Sequence, residues 1–259
     1  MQEHLKIALI QTELVWENPK QNRVYLTKKV ESISEAVDVI ILPEMFTSGF
    51  TMNPEKVVET MFGETIVWMQ DLALKKQTAL MGSMVISEHG HFYNRLLFVH
   101  PNGIIETYDK KHTFTLAGED KVYTAGKSKL IVTYKGWKIC PLICYDLRFP
   151  VWSRNVENYD ILVYVANWPK VRVAAWDALL KARAIENMSY CIGVNRVGLD
   201  GNNHEYSGHS AVFDVLGEKL DRIPENQEFI DTFTLSKNHI ETYREKLNFL
   251  NDKDAFNLE

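Results

Sequence analysis

Short β-rich runs alternate with helical patterns along the whole chain, a rhythm that suits an architecture of sheets covered by helices. Lys6 to Gln11, Val37 to Leu42, Ala79 to Ile86, Phe92 to His100, Leu130 to Tyr134, Lys138 to Ile143, Ile161 to Ala166, Tyr190 to Asn195 and Ser210 to Val215 read as strands. Several are largely apolar, the mark of strands buried on both faces. Between them Asn22 to Glu35, Thr65 to Lys76 and Val173 to Met188 read as helices. In the last of these, Trp176, Leu180, Ala184 and Met188 recur at i+4 with Leu179 beside them, one apolar stripe for core packing. Pro101-Asn102-Gly103 separates two β-rich runs. Pro sets its own φ and Gly tolerates a positive one, so these residues predict a hairpin.

No Pro-, Gly- or Ser-rich linker, low-complexity block or repeat divides the sequence, and residues 1–259 read as one domain. With 46% hydrophobic and 24% charged residues, such a chain has apolar surface enough for a sizeable core. The segment from about 236 to 259 ends in a loosely polar stretch, Leu247 to Glu259. Its Phe249, Leu250, Phe256 and Leu258 are available to pack on the body or on a second copy.

Lys plus Arg number 29 against 34 Asp plus Glu, a formal charge of −5 with the basic residues scattered. A nucleic-acid binder shows a basic stripe, so no nucleic-acid partner is expected. Cys140, Cys144 and Cys191 are an odd number in a chain too long to need disulfide staples, which reads as a reducing compartment. Ile7 to Ile10 is too short for a secretory apolar core, and no stretch nears the roughly 18 apolar residues of a membrane span. The expectation is a cytoplasmic protein with no membrane partner.

Cys144 stands where the run Lys138 to Ile143 gives way to a helical segment, and exposed N–H groups there would lower its pKa and favour the thiolate. The alternative is a buried small hydrophobe, which Cys140 and Cys191, inside strands, fit better. Glu44 follows Val39 to Leu42 and Pro43, at the mouth of a buried strand, where partial burial would raise its pKa toward what a general acid or base needs. An ordinary loop glutamate is its alternative. Lys110 follows the strand after the Pro-Asn-Gly turn; held in a pocket, its ammonium would stabilise a thiolate and a developing oxyanion, although most lysines are solvated surface. His112 reads as a hydrogen-bonded structural residue. Cys140 and Cys144 are spaced Cys-x3-Cys, but no second pair completes a tetrahedral set, so no metal is expected.

In chain order, Leu42-Pro43-Glu44-Met45-Phe46, Tyr108-Asp109-Lys110-Lys111-His112 and Ile143-Cys144-Tyr145-Asp146-Leu147-Arg148-Phe149-Pro150 resemble the three signature segments of the nitrilase, or carbon–nitrogen hydrolase, superfamily. The similarity runs from Lys6 to about Ser210 and takes in Tyr93-Asn94-Arg95, Ala166-Asn167-Trp168-Pro169 and the stretch from Ala182 to Asn187. It implies a four-layer α-β-β-α sandwich, no cofactor, and assembly as a homodimer or larger homo-oligomer. It matches Glu44, Lys110 and Cys144 to the family's Glu-Lys-Cys triad, and Glu119 to the second glutamate of many of its amidases, with Asp120 the competing carboxylate. The implied chemistry is attack of Cys144 on a primary amide with Glu44 handling protons, Glu119 orienting substrate or water, and a thioester intermediate. The oxyanion would be met by Lys110 and the backbone N–H of Tyr145.

Within the superfamily, the segments His112 to Tyr123 and Ala166 to Arg172 are most similar to bacterial omega-amidases. Those act on the terminal amide of dicarboxylic acid monoamides such as 2-oxoglutaramate, small molecules with a free carboxylate. Arg172, just past a core strand, is the cation expected to grip that carboxylate, with Phe114 and Trp168 lining a short apolar pocket. A surface arginine is its alternative. Arg148 and Arg183 are rivals whose places point to structural ion pairs with Asp146 or Glu186. The same triad serves nitrilases, N-carbamoyl amidohydrolases and aliphatic amidases, and an inactive homologue would keep the fold as a binding scaffold.

Overall fold

In the computed structural model, which describes residues 2–220 and 222–256, strand β1 (His4–Gln11) shows how the sequence pattern becomes layers. Side chains alternate across a strand. Ile7 and Leu9 join an apolar cluster between two sheets, while Ala8 and Ile10 join another formed with helices α1 (Pro19–Glu31) and α2 (Glu64–Lys76). Both faces are buried, which is why this strand carries so few polar residues.

The first sheet also contains β2 (Val39–Ile41), β3 (Ala79–Glu88), β4 (His91–Val99), β5 (Ile105–Asp109) and β13 (Phe229–Ser236), in the order β13-β1-β2-β3-β4-β5. The second contains β6 (Val132–Tyr134), β7 (Trp137–Ile143), β8 (Ile161–Ala166), β9 (Tyr190–Asn195) and β12 (Ala211–Phe213), in the order β12-β9-β8-β7-β6. The central strands β1, β2 and β3, and likewise β7, β8 and β9, run parallel. Helix α4 (Val173–Asn187) covers the outer face of the second sheet through Trp176, Leu180 and Ala184, all fully buried. Helices, sheet, sheet and helix make the four layers of the expected α-β-β-α sandwich. A short hairpin of β10 (Val197–Leu199) and β11 (Glu205–Ser207) stands outside the sheets, and the short helix α3 (Pro150–Ser153) follows β7.

The strands Ile161 to Ala166 and Tyr190 to Asn195 lie where the sequence places them, and the Pro101 turn is a hairpin, with Gly103 at φ +83°. The first helix is displaced. It starts at Pro19 rather than Asn22, because Pro suits the first helical position and the Asn18 side chain accepts from the Gln21 N–H as its cap. Asn22 is instead buried inside it, donating to the carbonyls of Val15 and Thr47.

The C-terminal segment packs on the body. β13 pairs with β1 over eight residues, and α5 (Lys237–Leu247) buries Ile240 while Arg244 donates to the carbonyls of Met188 and Tyr159. Phe249 and Phe256 stay largely exposed, and Leu258 lies outside the described residues.

Candidate active site

Parallel strands end together, and ligand sites form beyond their carboxyl ends. Here β2 leads to Glu44, β7 to Cys144 and β8 to Asn167, with β5 leading to Lys110. The turn carrying Glu44 is fastened to β3: the Leu42 N–H donates to the Met81 carbonyl, the Met45 N–H to Ser83 Oγ and the Phe46 N–H to the Ser83 carbonyl.

Glu44, Lys110 and Glu119 are at most 1% exposed, so their charges depend on one another. Lys110 Nζ donates to Glu44 Oε1 at 2.9 Å and to both oxygens of Glu119 at 3.0 and 2.9 Å. Glu44 Oε2 accepts the Asn167 N–H at 2.8 Å, and Glu119 Oε2 accepts the Phe114 N–H. Burial alone would lower the Lys110 pKa, but the carboxylates of Glu119 and Glu44 outweigh it and hold the ammonium above the ordinary lysine range. Burial raises the Glu119 pKa, against the pull of Lys110. Asp120, the competing carboxylate, is exposed.

Cys144 opens a five-residue 3-10 turn at the end of β7 with φ +42°, a left-handed conformation uncommon outside glycine. The Tyr145 N–H follows within the first residues of that turn, where N–H groups have no intrahelical acceptor. The turn is locked by Asp146, which accepts from the Ile143 N–H, the Tyr108 hydroxyl and the His112 N–H, and pairs with the His112 ring at 2.8 Å. His112 is stacked on Phe149 and acts as a brace, as its sequence setting indicates.

One expectation is reversed here: the Cys144 thiol is not acidified. Burial, then the adjacent Glu44 carboxylate, push its pKa well above the ordinary thiol value, and Lys110 only partly opposes them. A five-residue turn has too little aligned dipole to overcome that. Burial and Glu44 thus favour the thiol over the thiolate at Cys144, with the Glu44 carboxylate beside it. Cys140 and Cys191 are buried strand residues, with thiol pKa values raised by burial.

A cavity of about 340 Å³ opens above this cluster. It brings Glu44, Lys110, Cys144 and Tyr145 together with Phe114, Trp168 and Arg172. Glu119 is not in its wall; it sits behind Lys110. The Arg172 guanidinium lies 5.2 Å from the Phe114 ring centroid, and Trp168 Nε1 donates to the Arg172 carbonyl at 2.8 Å.

Several wall and support residues were not among the candidates. Asn94 Nδ2 donates to Glu44 Oε1 at 2.8 Å and lies 3.4 Å from Glu119 Oε1, while Asn167 Nδ2 donates to the Glu44 carbonyl at 2.7 Å. The β10–β11 hairpin contributes Asp200, Asn202, His204 and Tyr206 to the wall. Arg183 makes the expected ion pair with Glu186, at 2.8 Å. Arg148 does not pair with Asp146, whose oxygens are already taken; it lines the cavity instead, its guanidinium 4.8 Å from the Trp168 ring centroid. Among the described residues no three His, Cys, Asp or Glu side chains are grouped to hold a metal, and no helix is long and apolar enough to cross a membrane.

The model of the carbon–nitrogen hydrolase family matches residues 6–245. The chain is 43% identical to omega-amidase YafV of Yersinia enterocolitica, over 98% of both chains. It is 31% identical to a 2-oxoglutaramate amidase of Bacillus subtilis, over 83% of this chain and 84% of that one. Its structure is similar to that of XC1258 from Xanthomonas campestris, a CN-hydrolase superfamily protein with an arsenic adduct in the active site, with a TM-score of 0.97, 40% identity and full coverage of both chains.

Proposed function

This chain belongs to the carbon–nitrogen hydrolase family, and on that premise we propose that it is an omega-amidase, releasing ammonia from the terminal amide of small dicarboxylic acid monoamides such as 2-oxoglutaramate. The observation that carries the reading is the buried Glu44–Lys110–Glu119 cluster beside Cys144, in a cavity that also holds Arg172.

In the proposed reaction the amide enters with its carbonyl carbon at Cys144. The thiol proton passes to Glu44 as the S–C bond forms, and the carbonyl oxygen takes up charge between the Lys110 ammonium and the Tyr145 N–H. As the adduct collapses, Glu44 gives its proton to the amide nitrogen, the C–N bond breaks and ammonia leaves, with a thioester remaining. Glu44 then takes a proton from water, the hydroxide adds to the thioester, and collapse returns a proton to Sγ with release of the acid. Amide plus water becomes acid plus ammonia. Glu119, with both oxygens on Lys110 and one on the Phe114 N–H, serves by fixing the ammonium and that loop. Arg172 meets the distal carboxylate, with Phe114 and Trp168 as the apolar walls. Homodimer assembly and a cytoplasmic location belong to the same proposal on the strength of the family resemblance, and sedimentation velocity tests the first.

Ammonia release by the purified protein from 2-oxoglutaramate, succinamate and a neutral aliphatic amide, with Cys144→Ala alongside, tests it. Release from the acidic amides, absent in the variant, is expected. Release confined to the neutral amide, or retained in Cys144→Ala, would overturn the reading.

A further inference from the structure

We propose that Arg148 and Arg172 form a two-guanidinium subsite that reads a 2-oxo acid, one guanidinium taking the carboxylate and the other the neighbouring ketone oxygen. The inference rests on the amidase reading above and assigns, within it, the residues that would tell a 2-oxo amide from its methylene analogue.

Both arginines are half-buried in the wall of the same cavity. Each guanidinium lies near an aromatic ring, Arg148 at Trp168 and Arg172 at Phe114. Trp168 joins them, since its ring meets Arg148 while its Nε1 donates to the Arg172 backbone. Among the described residues neither guanidinium has a hydrogen bond or ion pair, although each offers about five N–H donors. The acids of the wall are committed elsewhere. Glu44 is bound by Lys110, Asn94 and Asn167. Asp200 accepts from the N–H groups of Asn202 and His204 and from the Tyr206 hydroxyl, pairs with the His204 ring, and feels the charge of buried Arg196. The two guanidiniums are thus left without an anion of their own.

A half-buried guanidinium with no protein acceptor can take up a ligand's oxygens without first breaking an ion pair. A lone carboxylate fills one planar fork with its two oxygens. The second fork calls for another acceptor beside it, and a ketone oxygen on the adjacent carbon is one. A methylene there offers nothing. An ammonium there, as in an α-amino acid amide, would face two like charges in a confined cavity and is rejected.

The test compares kcat/KM for 2-oxoglutaramate with that for glutaramate, its analogue with a methylene in place of the ketone. Wild type, Arg148→Gln, Arg148→Lys and Arg172→Gln are measured, with L-glutamine as the ammonium-bearing control. Wild type should favour the 2-oxo amide and ignore glutamine. Arg148→Gln should lower the 2-oxo preference by about tenfold or more, the size of losing one hydrogen bond to a charged group, mostly through KM. Arg148→Lys, which keeps the charge but loses the fork, should lower it in part, and Arg172→Gln should depress both acidic amides together. An unchanged ratio in Arg148→Gln overturns the inference, as does wild-type indifference between ketone and methylene. Should Arg148→Gln fail to fold, inhibition of wild type by 2-oxoglutarate and glutarate decides: equal inhibition overturns the subsite. Absence of turnover on both acidic amides, with neutral amides cleaved, would instead refute the omega-amidase reading.

Discussion

Asn94 ties the charged cluster together without being charged. Its Nδ2 donates to Glu44 and lies within reach of Glu119, and its carbonyl accepts the Lys110 N–H at 3.0 Å. Asn94→Leu should lower kcat by about 10- to 100-fold, the range for a lost hydrogen bond to a charged group. A merely structural role would lower yield or Tm and leave the kcat of the folded enzyme in place. The cysteine makes a second prediction. With its pKa raised, Cys144 should show no ultraviolet thiolate absorbance, as wild type minus Cys144→Ala, at or below the usual thiol midpoint of about 8.5. A band at neutral pH would mean a resting thiolate. Glu44, Lys110 and Cys144 were legible because each follows a β run and sits in a recognisable segment. Asn94 falls in the Tyr93-Asn94-Arg95 segment of the resemblance, but one amide in a strand carries no chemical pattern of its own, so its part in the cluster was not read. Arg148 was assigned to Asp146 from sequence proximity, whereas the 3-10 turn spends both Asp146 oxygens on N–H groups, Tyr108 and His112.

At the scale of elements, legibility followed burial. β8 and β9, buried at every residue, match their apolar runs end to end, and the α4 stripe packs as its spacing requires. β13 is half-exposed on one sheet edge, so its apolar residues do not form a continuous run, and β10 and β11 are three residues each, too short for periodicity to show. That short hairpin nonetheless supplies four wall residues, which is why that part of the cavity could not be foreseen. Strand β9 and helix α4 fit tightly against each other. A Cβ added at Gly193 would come within 2.5 Å of Leu180 Cδ1 and 2.6 Å of Trp176 Cζ2, both inside the core. Gly193→Ala should destabilise the protein by about 1–3 kcal/mol, as overpacking of a dense core does. Urea denaturation at unchanged m-value measures it, and a loss under about 0.5 kcal/mol would mean that α4 shifts outward without cost.

The whole molecule is closed by its C-terminal strand, and Glu228, just before β13, is the clasp. It accepts from Thr12 Oγ1 at 2.6 Å, the Glu13 N–H at 3.0 Å, the Tyr25 hydroxyl at 2.6 Å and Lys29 Nζ at 2.8 Å, joining the end of β1 and helix α1 to the returning chain. Burial works against its ionisation, but the hydrogen bonds from Lys29, Thr12 and Tyr25 outweigh it and hold the pKa at about 2. A carboxylate whose folded pKa lies below its unfolded value, about 4.3, adds stability that is fully present above the unfolded value. That stability is lost as pH falls through the folded one. Because the group is partly solvated, screening reduces the contribution to about 1 kcal/mol. Glu228→Gln should therefore be less stable than wild type by roughly that amount at neutral pH. The gap should hold down to pH ~4.5 and close toward pH ~2, as read from paired denaturation curves across pH. A gap constant over that window would mean that Glu228 acts through shape and neutral hydrogen bonds alone. Since Glu228 is outside the cavity wall, kcat/KM at neutral pH should not move, which separates closure of the fold from operation of the site.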